Sequence, residues 1–394
     1  MRVLVLSTLY PSSVMYMSGI FVHEQVKALI NQGIEVKVIA PVPYVPPFLK
    51  RVSNKWQLYD KIPSFELIEG IEVYHTKYIA LPNGVLKDYW AYGLSTKVMK
   101  LIKSTKELQN FDLIHAHGAI PVDYSAYLLS HKLKLPYIVT VHGETVNKII
   151  HNRRKFRKSK KALLKADAVI GVSSKVVNKI QSHTGRKRKN FTVFNGYKRL
   201  EIIDGTSGTH ENLIILFAAT LVKSKSCDYL LRAFSELVKK YFKIHLVIAG
   251  GGELLNEMKS LTNELRIQNR VTFTGALPHT ELLTQMSQCD IFILPSVDEG
   301  FGVVYLEAMS FKKPVIGTEG EGICDILKDN FNGLLVKPRN VESIESKLEL
   351  LIDSEDLRNK LGNNGYNTVK ELTWEKNASE TINIYKETLN IPKR

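Results

Sequence analysis

The residues that invite a chemical reading lie between Ile291 and Glu307, in the run Ile-Phe-Ile-Leu-Pro-Ser-Val-Asp-Glu-Gly-Phe-Gly-Val-Val-Tyr-Leu-Glu. An apolar strand stops at Pro295, a loop carries Asp298, Glu299, Gly300 and Gly302, and a helix is expected from about Val303 with Glu307 in its second turn. A glycine-rich turn from strand to helix lets main-chain N–H groups approach a diphosphate, and the positive end of the helix adds attraction. Glu299 and Glu307 are eight residues apart. Along a helix that is ~12 Å, too wide for two carboxylates sharing one glycosidic bond. The spacing suits two tasks, with Glu299 accepting hydrogen bonds from sugar hydroxyls and Glu307 holding a ribose. Apolar neighbours (Val303, Val304, Leu306, Ala308 and Met309) mark this helix as mostly buried, so Glu307 is not expected to be idle surface charge.

Two absences narrow the chemistry. The chain contains no Asp-x-Asp pair of the kind that holds a divalent ion on a diphosphate, so a cation and a helix end are the better fit. Gly250-Gly251-Gly252-Glu253-Leu254-Leu255 follows a strand, but Leu255 stands where the dinucleotide fingerprint needs its third glycine, which disfavours a dehydrogenase. His115 and His117 alternate on a strand, so one of the two is expected to point into packing. His142 reads equally well as a site residue or as a satisfied core histidine.

The elements that must carry these residues are short β-branched runs alternating with amphipathic stretches. In the first half the strands expected are Val3–Ser7, Val36–Ala40, Leu113–Ala116, Tyr137–Val141, Ala168–Val172 and Thr192–Phe194, with helical patterns such as Phe21–Asn31 and Tyr124–Lys132 between them. Runs that are apolar on both faces mark buried parallel sheets covered by helices. The proline-bearing segment Tyr44–Asn83 breaks the rhythm and is expected to form an excursion with a hairpin around Phe65–His75. After Asn195-Gly196 the composition turns linker-like, and the pattern restarts with Ile214–Ala218, Leu246–Ala249, Val271–Thr274, Ile291–Leu294, Val315–Gly317 and Leu334–Val336. The fold class is therefore α/β, with two doubly wound Rossmann-like domains: residues 1–196, a linker at 197–211, and residues 212–371. Ligands of such sheets sit at the carboxyl ends of the strands.

A chain of 394 residues with 44% hydrophobic content fits two domains with real cores. Cys227, Cys289 and Cys324 have neither metal-like spacing nor a disulfide pattern, which suggests a reducing compartment. The N-terminal apolar run ends at Leu6 and reads as a first strand rather than a secretory leader. No window approaches a membrane span, and a cytoplasmic protein, in part peripheral to a membrane, is expected. Net charge is +15. Between Lys148 and Lys189 there are fifteen Lys and Arg against the single acid Asp167, nearly the whole excess. Such a stretch attracts an anionic membrane surface or a lipid-linked diphosphate. Nucleic acid is a poorer partner, because no aromatic interleaving or binding motif accompanies the charge.

Glu299 and Glu307 match the E-x7-E signature of retaining glycosyltransferases of family 4, and PSVDEGFGVVYLEAMSFKKPVIGT resembles that family throughout. SGIFVHEQVKAL, DLIHAHGAIP, TVHGE, ADAVIGVS, FNGY, HLVIAGGGE, VTFTGALPH and NFNGLLVKP extend the resemblance over nearly the whole chain. Each is weak alone; together they are specific. The chain is most similar in pattern to enzymes of bacterial surface-polysaccharide assembly, of the teichuronic acid or O-antigen type. The resemblance implies the GT-B fold, two Rossmann-like domains facing across a cleft, with residues 372–394 as a last helix returning to the first domain. It implies metal-independent, retaining transfer of a hexosyl-type sugar from a nucleotide-diphosphate sugar, the co-substrate, to a glycan or lipid-linked acceptor, with no further cofactor. It assigns Gly19 to the donor phosphate, Lys225 to the diphosphate leaving group, Glu299 to the sugar, and Glu307 to the ribose. Within Gly300-Phe301-Gly302-Val303-Val304, the last three resemble the main-chain donors to phosphate. His117 matches a histidine near the reacting carbon and His142 an acceptor-side residue.

The chain departs from the family pattern in two places. The arginine that usually partners the lysine is Thr220 here, which removes a cation from a dianionic leaving group; either Lys223 substitutes or the donor sits differently. The usual G-G-I-P-E reads Glu321-Gly322-Ile323-Cys324-Asp325, with Asp325 a weaker match to a sugar-site or helix-cap acid. The alternative reading is a nucleotide-sugar epimerase of the same fold, to which the E-x7-E run is a poorer fit. A phosphorylase usually has a longer chain and a pyridoxal-binding lysine.

Overall fold

A computed structural model describes residues 1–46, 54–80, 87–143, 153–197 and 211–390. Lys148, Glu144 and most of the expected linker, 198–210, lie outside the described residues. The chain divides into two compact units, one formed by Met1–Gly196 with Trp374–Arg394, the other by Tyr197–Thr373.

In the first unit the strands are β1 (Arg2–Ser7), β2 (Glu35–Ile39), β3 (Val42–Tyr44), β4 (Phe65–Ile68), β5 (Ile71–Tyr74), β6 (Lys77–Ile79), β7 (Leu113–His117), β8 (Tyr137–Val141), β9 (Ala168–Gly171) and β10 (Asn190–Thr192). The helices are α1 (Ile20–Asn31), α2 (Asn54–Lys61), α3 (Lys87–Ser104), α4 (Val122–Leu133), α5 (Arg153–Lys165) and α6 (Ser174–Thr184). Among the described residues the main sheet runs β10-β9-β8-β7-β1-β2-β5-β4, and only the β4–β5 pair is antiparallel. β1, β7 and β8 occupy its centre, and Val3 to Leu6 are fully buried. Strands covered on both faces cannot alternate polar and apolar residues, which is why these runs are continuously hydrophobic.

The expected hairpin forms, but it also extends the main sheet, because β5 pairs in parallel with β2. Glu69 and Gly70 turn the hairpin with positive φ of 47° and 82°. The strand expected at Thr192–Phe194 begins earlier, at Asn190. Lys189 adopts a left-handed φ of 48° and turns the chain straight into the ladder. Just before it, the buried Arg186 guanidinium donates to the Leu163 carbonyl at 2.7 Å, which fixes where the turn falls.

The second unit contains β11 (Leu213–Ala218), β12 (Ile244–Ala249), β13 (Val271–Gly275), β14 (Ile291–Ile293), β15 (Val315–Thr318) and β16 (Leu334–Val336). Its helices are α7 (Cys227–Lys240), α8 (Leu255–Glu264), α9 (His279–Gln288), α10 (Val303–Ser310), α11 (Val341–Asp353) and α12 (Glu355–Val369). The sheet is parallel in the order β13-β12-β11-β14-β15-β16. Its order reverses beside β11, so the loops after β11 and β14 open at the switch point where doubly wound sheets bind ligands. The last helix, α13 (Trp374–Leu389), belongs to the first unit. Gln25 of α1 donates to Asn377 at 2.6 Å, and Asn377 donates to the Phe194 carbonyl at 2.7 Å. Among the described residues no helix is long and apolar enough to cross a membrane.

Candidate functional site

In the second unit the chemistry-bearing residues gather at the carboxyl ends of β11, β14 and β15. The turn Lys223–Lys225 follows β11 and is docked against the loop after β14. There the Ser224 carbonyl accepts from the Val297 N–H at 2.7 Å and from the Ser296 hydroxyl at 3.2 Å. This docking brings the Lys225 ammonium onto the Glu299 carboxylate, an ion pair with both side chains about one-fifth exposed. Ser296 Oγ also lies 3.2 Å from Glu299 Oε2. The loop after β11 is held from the other side by the three consecutive glycines. Leu221 N–H donates to the Gly251 carbonyl at 2.8 Å, and a Cβ at Gly250 would stand 1.8 Å from the Ala219 oxygen. The triple glycine therefore serves a close approach of two loops.

Helix α10 starts at Val303, as expected. Gly302 precedes it with φ of 83°, and a Cβ there would sit 2.6 Å from the Tyr305 ring, so both conformation and space require glycine. Tyr305 is fully buried and donates its hydroxyl to the Leu294 carbonyl at 2.5 Å; burial raises its pKa well above the usual value. It locks the turn to the end of β14. The first turn of α10 carries no acidic side chain, leaving its positive end open to an anion. Gly300 and Phe301 are buried, while Val303 and Val304 are partly exposed.

Glu307 is not solitary. Its Oε1 lies 2.8 Å from His279 Nε2, at the first residue of α9, and its side chain is 14% exposed. His279 went unassigned in the sequence, although the motif VTFTGALPH ends on it. Glu321 went unassigned too. Its Oε2 accepts from the Glu299 N–H at 2.7 Å, whereas Asp325 lies four residues on, in the short turn Gly322–Asp325. Thr220 and Lys223 are exposed.

In the first unit Gly19 caps the start of α1 with φ of 67°. A Cβ there would be 2.3 Å from the Leu9 carbonyl carbon, so the fold itself demands glycine at this position. His115 and His117 both face the same side of β7, with rings 4.1 Å apart, and both are buried. Residues two apart on a strand share a face, so strand alternation does not separate the pair, and both rings lie in packing. What separates them is their bonding. His115 is held at Nδ1 by Tyr385 Oη at 2.5 Å and at Nε2 by Thr140 Oγ1 at 2.7 Å. His117 Nδ1 lies 3.3 Å from His142 Nε2, and its buried Nε2 has no hydrogen-bond partner among the described residues. The His117 and His142 rings stack at 5.5 Å, and Phe21 packs 4.6 Å from His142. Burial drives all three imidazoles neutral: His115 falls to about 3, His142 to about 4, and His117, with His115 and His142 beside it, falls well below the usual value.

Comparison with known proteins bears on both units. The family described as glycosyltransferase family 4 matches residues 18–197, and that described as glycosyl transferases group 1 matches residues 201–368. A Bacillus subtilis protein named as a teichuronic acid biosynthesis glycosyltransferase, TuaC, is 28% identical over 87% of this chain and 87% of its own length. Sucrose-phosphate synthase from Thermosynechococcus elongatus superimposes with a TM-score of 0.82 at 18% identity, over 98% of this chain and 99% of that one. Anabaena HepE, solved with UDP and glucose, gives a TM-score of 0.74 at 16% identity, over 98% of this chain and 100% of its own. The fold is thus GT-B, the two-sheet architecture of a large class of glycosyltransferases. With the two family matches together spanning most of its length, the chain belongs to glycosyltransferase family 4.

Proposed function

We propose that this glycosyltransferase moves a hexosyl-type sugar, with retention and without a metal, from a nucleotide-diphosphate sugar to a glycan or lipid-linked acceptor in cell-surface polysaccharide assembly. The observation that carries the reading is Lys225 held on Glu299 beside the open amino end of α10. A diphosphate arriving there meets the ammonium and the main-chain amides of Gly302, Val303 and Val304. Lys225 then neutralises charge that grows as the sugar–phosphate bond breaks, and Glu299 accepts from sugar hydroxyls. Glu307, backed by His279, takes the ribose. Such fixed charges stabilise a departing diphosphate without reorganisation at the moment of reaction. Lys223, exposed in the same turn as Lys225, stands in for the family arginine that Thr220 replaces.

In the first unit the family resemblance gives Gly19 to the donor phosphate, His117 to the reacting end of the sugar and His142 to the acceptor side. The unpartnered His117 Nε2 supports its role, because a buried ring nitrogen gains from a substrate hydroxyl. Retention follows from front-face displacement, in which the departing phosphate takes the acceptor proton and no side-chain nucleophile is needed. HepE solved with UDP and glucose supports a nucleotide-sugar donor, and TuaC supports a surface-polysaccharide acceptor.

The test is turnover of a panel of UDP- and GDP-sugars, with the anomeric configuration of the product read by NMR. Retention is expected, and Glu299→Ala and Lys225→Ala are each expected to lower turnover ~10²-fold or more while staying folded. Wild-type turnover in either variant would contradict the assignment, as would an inverted product.

An anionic membrane at the cytoplasmic side is the partner proposed for the basic stretch Lys148–Lys189. That stretch is not one surface, since Arg186 is buried and Lys189 pairs with Glu387 at 2.9 Å. Its surface residues include Arg157, Lys158, Lys160, Lys161 and Lys165 of α5, together with Lys187 and Arg188 after α6. Further lysines of the same unit, Lys100 and Lys103 of α3 and Lys132 of α4, line an open depression of about 420 Å³ with Thr96, Met99 and Ser104. Lys158 sits 4.9 Å and 4.7 Å from the exposed rings of Tyr89 and Tyr92, and tyrosine beside lysine suits a headgroup layer. Co-sedimentation with phosphatidylglycerol vesicles but not with phosphatidylcholine vesicles is expected; equal pelleting would rule it out.

A further inference from the structure

We infer that Glu321 is a positioning residue for the donor site: its carboxylate clamps the main chain of Glu299 and sets where the Glu299 side chain stands. This rests on the reading of Glu299 as the sugar-facing carboxylate. Glu321 occupies a position where the family motif quoted above has a glycine, so the clamp is a property of this chain rather than of the signature.

The geometry is local. Glu299 follows Asp298, which takes a left-handed φ of 59° and turns the chain at this point. The Glu299 N–H donates to Glu321 Oε2 at 2.7 Å, and the Glu299 carbonyl accepts from the Gly322 N–H at 3.4 Å. The peptide groups on either side of the Glu299 Cα are thus tied to the loop after β15. Glu321 is itself 8% exposed, and it is anchored where its carbonyl accepts from the Cys324 N–H at 3.0 Å. A buried amide left without an acceptor is costly, so an oxygen at this distance holds the Glu299 N–H in place. It fixes Glu299 before any donor arrives, and small displacements of a positioning group cost heavily in rate.

A positioning role and a substrate-contacting role make opposite demands on the side chain. The clamp needs an acceptor at the reach of a glutamate and does not need the charge. Glu321→Gln keeps the reach and loses the charge, whereas Glu321→Asp keeps the charge and shortens the reach. Both variants and the wild type are assayed with whichever of UDP-glucose, UDP-galactose, UDP-N-acetylglucosamine and GDP-mannose the wild type turns over fastest. UDP or GDP binding and thermal midpoint serve as folding controls.

The expected order is wild-type-like kcat, within about threefold, for Glu321→Gln, and a loss of about tenfold or more in kcat for Glu321→Asp, with little change in nucleotide binding. The reverse order would overturn the inference, as would two wild-type variants or two equally inactive but folded ones. Glu299→Ala in the same assay separates the two readings. If it too turns over normally, the assignment of Glu299 fails; if it collapses while Glu321→Asp is unaffected, only the clamp fails.

Discussion

His279 Nε2 and Glu307 Oε1 stand 2.8 Å apart, joining the first residue of one helix to the second turn of the next across twenty-eight residues of sequence. The contact gives a largely buried carboxylate a fixed partner. If Glu307 holds the ribose, binding is affected before and during the reaction alike, so the loss should fall on KM and spare kcat. His279→Ala is expected to raise the donor KM about threefold to tenfold with kcat within twofold. Steady-state kinetics decide this, and a kcat collapse with unchanged KM would place His279 in a different role.

Thr220 stands where the family pattern has a cation, and Lys223, exposed in the turn Lys223–Lys225, is the replacement proposed above. Lys223→Ala is expected to weaken nucleoside-diphosphate binding about threefold to tenfold. Thr220→Arg should strengthen it by a similar factor, with a steeper dependence on ionic strength. Calorimetric titration with UDP and GDP at two salt concentrations checks both. Unchanged affinity in both variants would show that neither position faces the diphosphate.

Gly302 turns the chain into α10 with φ of 83°, against the Tyr305 ring. Gly302→Ala adds left-handed strain of roughly 1–2 kcal/mol and overpacking of roughly 1–3 kcal/mol. It should lower the thermal midpoint and weaken nucleotide binding together, because the same turn serves both. Calorimetric scanning with and without UDP is the measurement; wild-type stability in this variant would contradict the packing described.

The buried histidines give the first unit a defined acid sensitivity. His115 at about 3 and His142 at about 4 stay neutral when folded, whereas an unfolded histidine titrates near ~6.5. Below pH ~6.5 the unfolded chain therefore binds more protons, so stability falls as pH falls. The loss continues to about 4 for His142 and about 3 for His115. Each group contributes a slope of up to ~1.4 kcal/mol per pH unit. All three tryptophans, Trp56, Trp90 and Trp374, belong to the first unit, so their fluorescence follows its unfolding alone. The urea midpoint should be steady above pH 7 and fall between pH 6.5 and 5, and His142→Gln should flatten the slope. A midpoint indifferent to pH over that range would contradict neutral burial.

The parallel strands were legible because burial on both faces writes a continuous apolar run, as in Leu213–Ala218 or Tyr137–Val141. The start of β10 was not, because a left-handed lysine and a buried arginine set it rather than hydrophobic pattern. Glu299 and Glu307 stood out through their own spacing. Their partners Glu321 and His279 did not, because those contacts depend on how separate βα loops and helices come together. The basic stretch looked continuous in sequence, yet folding buries Arg186 while Arg157, Lys161 and Lys165 of α5 stay exposed.

The central claim, that Lys225 meets the diphosphate of a sugar nucleotide, is tested most directly by titrating UDP and GDP into the wild type and Lys225→Ala. Binding of at least one of the two by the wild type is expected, weakened about tenfold or more in the variant. Equal affinity in the two proteins, or no nucleotide binding by the wild type, would contradict it.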